Sequence, residues 1–281
     1  MTIFYDRNLV ANIGLEGGDN VEITELRINF EVHYSATDTP TEGEITVFDV
    51  APETADAIQS GARTVSLSGG YQEDLGLIFD GVVRRIEHER EGLERRTRIM
   101  VGGRTVIPPG RSSGNNLVNF NTAGNDVSLK DAVADVVGQL GLDLGDTSIL
   151  PDIETPALYA GGIDGRTVLT QWLRGPHGIE WFEEKGVVKF SKTRAQGDGA
   201  SIIDISERTG MVGTPALEFD DDGGVSVKVK TLLNPASELN STIRIRSEVI
   251  DGSYKVVELS HIGDNWRRNR FNTEIEGVPF T

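Results

Sequence analysis

A mainly β chain with a small α/β module set into it is predicted by three features of the sequence. Between Glu25 and Val101, apolar residues recur at every second position: Ile28, Phe30, Val32 and Tyr34, then Ile45 and Val47, Val65 and Leu67, Leu77 and Phe79, and finally Thr97, Ile99 and Val101. Side chains two apart on a strand share one face, so each run can bury one side and leave the other wet. Consecutive helical spacings dominate only in the middle of the chain, and strand alternation returns from about residue 199.

Residues 1–25, with Gly14, Gly17 and Gly18, supply a first strand or an arm. The alternating runs that follow, separated by Gly, Pro, Asp and Ser, predict a sheet closed into a small barrel or sandwich. A short helix interrupts them: Pro52 suits a first turn, Ala55 and Ile58 share a face, and Gly61 can end it. The strand from Arg84 to Arg98 is densely charged and turns at Glu91-Gly92. This predicts a solvated strand pair with opposite charges facing across it, the alternative being a subunit or ring contact built from the same charges. Residues 104–125, with Pro108, Pro109, Gly110, Ser112, Ser113 and Gly114, are expected to be a linker.

Within 126–198, Ser128 is a candidate N-cap, and Leu129, Ala132, Val133, Val136, Val137 and Leu140 follow helical spacing up to Gly141. A second helix is predicted from about Asp164 through Val168, Leu169, Trp172 and Leu173 to Gly175-Pro176. A hairpin follows, Ile179–Glu183 and Val187–Phe190, turning at Lys185-Gly186. In the last portion Val225–Val229 alternates, Leu232-Leu233-Asn234-Pro235 makes a corner, and Asp251-Gly252 is the expected turn between Ile243–Val249 and Tyr254–Ser260. Asn272–Ile275 closes the set.

The length of 281 residues suits about two domains, and 37% hydrophobic with 25% charged residues is a globular composition. Absence of cysteine excludes disulfides and thiolate metal sites and fits folding in a reducing cytoplasm. No apolar run approaches the ~20 residues that span a bilayer, and Met1–Arg7 is not a signal peptide, so no membrane insertion is expected. A net charge of −17 argues against sequence-specific nucleic-acid binding, which needs many cations to displace counterions.

Three stretches carry a resemblance. Leu26–Tyr34, Val47-Phe48-Asp49-Val50, the helix to Gly61, Val65–Tyr71, Ile78-Phe79-Asp80-Gly81 and the charged strand toward Gly102-Gly103 together look like the N-terminal barrel of phage tail baseplate hub proteins, which are similar to the hub part of type VI secretion spike proteins. Gly162–Leu169 opening a helix, then Gly178-Ile179-Glu180-Trp181, resembles their middle domain. Thr231–Pro235, Gly252–Val257, Leu259–Asp264 and Asn272–Ile275 resemble their C-terminal barrel, the most specific of the three. The resemblance implies two β-barrel-like domains, 1–103 and 199–281, flanking a small α/β domain at 126–198. It further implies a structural virion protein in the tail baseplate, made in the host bacterial cytoplasm and assembling as a homotrimer. Three chains of two similar barrels would form a pseudo-sixfold ring, joining the tail tube or distal tail proteins to a spike or central fibre, touching other baseplate proteins and letting DNA pass. The competing classes are a tail-associated cell-wall hydrolase and a carbohydrate-binding tail module.

The residues give no catalytic, cofactor or metal site. Gly110-Arg111-Ser112-Ser113-Gly114 has the nucleophile-elbow pattern at Ser112, but Pro108-Pro109 precedes it where a strand is required, and His177 and His261 complete a triad only on paper. The histidines His33, His88, His177 and His261 lack helical i, i+4 spacing, and His261 is expected to be a packed strand residue. Asp220-Asp221-Asp222-Gly223-Gly224 lacks the spacing of a calcium loop and is expected to be a solvated turn. Gly14–Gly18 has no following Lys-Ser/Thr for phosphate. Paired carboxylates for glycoside cleavage are defined by their separation in space, which a sequence does not give; Glu180 and Glu183, flanking Trp181, are the first candidates for sugar contact, with a surface hairpin around a buried tryptophan as the plainer expectation. Trp266-Arg267-Arg268-Asn269-Arg270 suits a protein–protein salt-bridge contact.

Overall fold

A computed structural model describes residues 6–36, 41–72, 74–104, 117–121, 126–156, 159–192, 202–219, 224–267 and 270–280. The first portion holds β1 (Arg7–Leu15), β2 (Asn20–Ile23), β3 (Ile28–Ser35), β4 (Glu42–Phe48), α1 (Pro52–Gly61), β5 (Ala62–Tyr71), β6 (Asp74–Glu91) and β7 (Glu94–Gly102). The middle portion holds β8 (Leu117–Asn121), β9 (Asp126–Ser128), α2 (Leu129–Gln139), β10 (Asp143–Leu144), β11 (Glu154–Pro156), β12 (Tyr159–Asp164), α3 (Gly165–His177), β13 (Ile179–Glu184) and β14 (Val187–Lys192). The last portion holds β15 (Ile203–Ser206), β16 (Ala216–Phe219), β17 (Val225–Leu232), β18 (Thr242–Arg246), β19 (Asp251–Asp264) and β20 (Phe271–Pro279). The chain is mainly β with an α/β module between two strand-rich portions.

Alternation decides which faces are buried. In β3, Ile28, Phe30, Val32 and Tyr34 point into the core, while Asn29, Glu31 and His33 point outward. The large sheet runs β16-β17-β20-β19-β3-β4-β7-β6-β5-β1-β2, with β18 and then β15 branching from β19. The first and last portions are joined by the antiparallel β3–β19 pair, from Asn29 opposite Asp264 to Ser35 opposite Glu258. The sheet therefore does not break between them, and one hydrophobic cluster spans both. Phe30 of β3 meets Phe271 of β20 edge to face at 6.4 Å. Among the described residues the pairing path ends at β2 and at β16 without returning on itself.

A second cluster holds the middle portion. Val133, Val136 and Val137 of α2, Val168, Leu169 and Trp172 of α3, and Trp181, Val188 and Phe190 of the β13–β14 hairpin form it. That hairpin turns at Lys185 and Gly186, with φ of 54° and 79°, the pair of positive values a type I′ turn requires. Its other face belongs to the large core: Phe182 is 1% exposed and packs with the strands of the large sheet, one residue from Trp181 in the smaller cluster.

Several expectations are corrected. Helix α3 runs through Gly175-Pro176 to His177, because a proline in the last turn forfeits little and the left-handed stop is Gly178, φ 63°, whose N–H donates to Arg174 O at 3.0 Å. Ser128 stands at the N-cap of α2 without a side-chain capping bond; the first amide of the helix, Leu129 N, donates to Ile153 O at 3.1 Å instead. Asp251-Gly252 is no turn but the start of β19, with Gly252 opposite Ile245. The reversal lies at Ser247–Ile250, where the Ser247 hydroxyl accepts from Ile250 N at 2.9 Å and Ser247 N donates to Ile250 O at 3.0 Å. Residues 117–121 within the expected linker form β8, paired with β12 from Leu117 opposite Asp164 to Asn121 opposite Tyr159.

Because Phe182 is the apolar anchor of the module in the large core, Phe182→Ala should cost about 3–5 kcal/mol, measured by urea denaturation. A loss below about 1 kcal/mol would show that the anchor is not needed.

Candidate functional site

The described residues bring no catalytic constellation together. They build a polar junction where the three portions meet, and two exposed sheet edges. The junction is centred on the end of the β13–β14 hairpin. Glu184 has a fully buried side chain: Lys189 Nζ donates to its Oε2 at 2.9 Å and Leu239 N to its Oε1 at 3.1 Å. Lys189 also reaches Glu238 at 2.8 Å, and Lys185 Nζ donates to Pro235 O at 2.8 Å. These bonds fasten the hairpin to the corner before β18. On the other side Thr41 Oγ1 donates to Glu183 O at 3.2 Å, the backbone N–H of Arg104 donates to the Glu183 carboxylate, and the Arg104 guanidinium pairs with Asp80 at 2.6 Å. Burial pushes the Glu184 carboxyl above its ordinary range, against the pull of Lys189, Lys185 and the Leu239 amide.

Next to this junction the core contains Tyr34 and His261, edge to face at 6.3 Å. Tyr34 donates to Ile78 O at 2.7 Å; burial, then Glu184, Glu183 and Asp80, raise its phenol well above the usual value. His261 shares a hydrogen bond with Thr273 Oγ1 at 3.0 Å, and its Nε2 has no partner among the described residues. Burial and then Lys185 lower its pKa to about 3, so the ring is neutral. A second clamp lies at the far end of the β3–β19 pair. Arg27 donates to the buried Asp264 carboxylate at 2.9 and 3.2 Å and to Glu94 at 3.1 Å while stacking on Phe48 at 4.0 Å. Burial opposes ionisation of Asp264, but bonds from Arg27 and from the amides of Arg267 and Trp266 outweigh it and hold its pKa below the ordinary value.

The charged strand pair carries its own partners. Arg98 on β7 reaches Glu87 and Glu89 across the pair on β6 at 3.5 and 3.4 Å and Glu44 on β4 at 3.1 Å; Arg84 pairs with Glu42. Farther along the same sheet Lys230 pairs with Glu274 and Lys228 with Glu218 and Glu276. Such exposed pairs add little stability, but each occupies a cation that would otherwise be available to a phosphate. A cleft of about 670 Å³ lies where the β5–β6 turn approaches the corner at Leu233–Ser237.

Residues singled out in the sequence are dispersed. Glu180 and Glu183 lie on opposite faces of β13, and Trp181 between them is buried, its indole N–H donating to Thr170 Oγ1 at 3.0 Å, so no sugar platform results. His33 is exposed between Ser260 at 2.7 Å and Glu31 at 3.1 Å, and His88 bonds Thr97 at 3.0 Å. His177 is in the last turn of α3, and Gly14–Gly18 span the β1–β2 turn. Trp266 is 70% exposed beside Asp264. Ser112 with its glycines, the Asp220–Gly223 cluster, Arg268 and Asn269 lie outside the described residues. The buried Glu184–Lys189 pair was missed, because Glu-Glu-Lys at a hairpin end carries the signature of a solvated turn.

Two outcomes follow. Lys189→Met should destabilise the fold by about 2–4 kcal/mol and Glu184→Leu/Lys189→Met by less than the single change, in denaturation curves, since the single change leaves a buried carboxylate alone. For His261 the folded pKa lies below the unfolded one of about 6.5, so the unfolded chain takes up the proton first. Stability should fall between pH 6.5 and 3, by roughly 3–5 kcal/mol from this residue, and His261→Gln should remove that part of the slope.

No family model matches the sequence, and no curated protein matches it by sequence comparison. Solved structures do match in shape. A tail protein from Neisseria meningitidis superposes with a TM-score of 0.65 at 10% identity, covering 98% of this chain and 97% of that one. An Escherichia coli protein, described as a component of the type VI secretion system with structural similarity to T4 bacteriophage tail proteins, gives 0.63 at 12% identity over 96% of this chain and 77% of its own. The 43 kDa tail protein of a prophage from Shewanella oneidensis gives 0.62 at 9% identity over 96% and 97%. This chain has the fold of phage tail proteins and of a type VI secretion system component.

Proposed function

We propose that the chain is a structural baseplate hub protein of a phage tail. The observation that carries this reading is the extent of the fold match: the superpositions take in 98% and 96% of this chain and 97% of each of two tail-protein chains, so the likeness runs through all three portions and is not confined to one module. In this reading the strand-rich portions 1–103 and 199–281 act as two barrel-like units and 126–198 as the α/β unit between them. Three copies would place six similar units around an axis, meeting a sixfold tail tube on one side and a threefold spike or central fibre on the other. Other baseplate proteins would pack around the ring, and the protein would reside in the virion tail.

Rigidity supports such a part. The β3–β19 pair, the Arg27–Asp264 clamp and the buried hairpin tie the three portions together, as a component transmitting force between tube and spike needs. Net charge of −17 and lysines and arginines already paired on the sheet face suit a wall that DNA slides past without binding. No catalytic role is assigned.

Light scattering on the purified chain should give three times its mass of 30.5 kDa, and negative-stain images of intact particles should place it in the baseplate. A monomer at all concentrations, or a position elsewhere in the virion, would overturn the assignment. In a turbidity assay on peptidoglycan no clearing is expected; clear lysis would favour a hydrolase.

A further inference from the structure

The two ends of the large sheet share one chemistry. At one end β16 is a four-residue strand with every residue exposed, paired only through β17 among the described residues. Its side chains alternate: Leu217 stands opposite Val227 and Phe219 opposite Val225, so both lie on the face where Val227 is fully buried in the core. Leu217 is nevertheless 45% and Phe219 72% exposed, so the core face of the sheet runs on past the end of the core. At the other end β2 is also a four-residue strand, paired only with β1 among the described residues. Ile23 is buried and Val21 packs against the core, while Asn20 and Glu22 point outward.

An edge strand presenting unpaired amides and carbonyls beside an uncovered phenylalanine is a site for another strand. A monomer that left it open would invite aggregation, and β16 carries no inward-pointing charge to prevent that. We infer that β16 of one copy pairs with β2 of the next, head to tail, so that Leu217 and Phe219 continue the apolar row of Val21 and Ile23 in the neighbour. The two edges have equal length and the same in–out pattern, with apolar residues inward and one glutamate outward on each. Glu22 and Glu218 would meet on the outer face beside Lys228, which lies 2.7 Å from Glu218 and 3.5 Å from Glu276 and is the cation available to both edges there. A head-to-tail contact between two different patches forms a ring when its rotation closes on itself, as it would after three copies here, whereas pairing β16 with itself would stop at a dimer. This inference rests on the trimeric ring proposed above and names the strands that close it.

The cysteine-free sequence allows a direct test, since any disulfide must come from introduced residues. One outer-face cysteine on β2 (Asn20→Cys or Glu22→Cys) is combined with one on β16 (Ala216→Cys or Glu218→Cys), and the four full-length double variants, covering the possible registers, are oxidised and run without reductant. At least one should give covalent dimers and trimers and nothing larger, while the single-cysteine variants stay uncrosslinked. A ladder ending at another number would keep the strand pairing and overturn the trimer. Trimers by light scattering with no intermolecular disulfide in any variant would overturn the strand pairing and leave the trimer standing; monomers without crosslinks would overturn both. Phe219→Lys, on an exposed side chain that the folded monomer does not need, should weaken self-association at least tenfold, and unchanged association would also count against β16.

Discussion

The structure depends on a hairpin that is buried on both faces. Strands β13 and β14 present Trp181, Val188 and Phe190 to the helices of the middle module and Phe182 to the large core, so they belong to two hydrophobic clusters at once. A two-stranded ribbon alone is marginal in water, and here each face is stabilised by a different set of partners. The two cores cannot move apart without exposing one of these faces. Polar groups at the hairpin end fix where it sits: Glu184 is held by Lys189 and the Leu239 amide, and Glu183 by the Arg104 amide. A buried ion pair of this kind is weak evidence for stability, since desolvation offsets most of the attraction. Its geometry, however, is satisfied in one docking arrangement, which is what a rigid joint requires.

Polar content also continues inward. Tyr34 and His261 sit among aliphatic side chains, each with a defined hydrogen bond, and both are kept neutral by burial. On the outside the sheet is laced with carboxylate–cation pairs whose summed charge remains acidic. The inner polar groups position strands, and the outer ones set what the surface repels.

Local chemistry was legible wherever it acts over a few residues. Alternation located β3, β4, β5 and β7; Pro52 and Gly61 bound α1; Lys185-Gly186 marked a turn that only positive φ allows. Errors arose where two local signals competed. Asp251-Gly252 lost to the Ser247 hydroxyl, which anchors the reversal four residues earlier and leaves the glycine in an extended strand. Pro176 did not end α3, because Gly178 offered a better stop two residues later. Strand β8, in a stretch of turn-forming residues, exists because β12 lies beside it.

By itself, then, the sequence determined the mainly β class, the place of the helical module, the burial of Trp181 and His261, and the absence of thiol chemistry. These follow from periodicity and composition, which act between neighbours in the chain. Only the tertiary structure decided that β3 pairs with β19 across more than two hundred residues, that Phe182 serves the core opposite to that of Trp181, that Glu184 is buried while Glu180 is not, and that β16 ends with Leu217 and Phe219 uncovered. Each is a matter of which distant surface arrives against a given face. Chain closure over such distances carries no local imprint, because its entropic cost grows only slowly with the length of the loop.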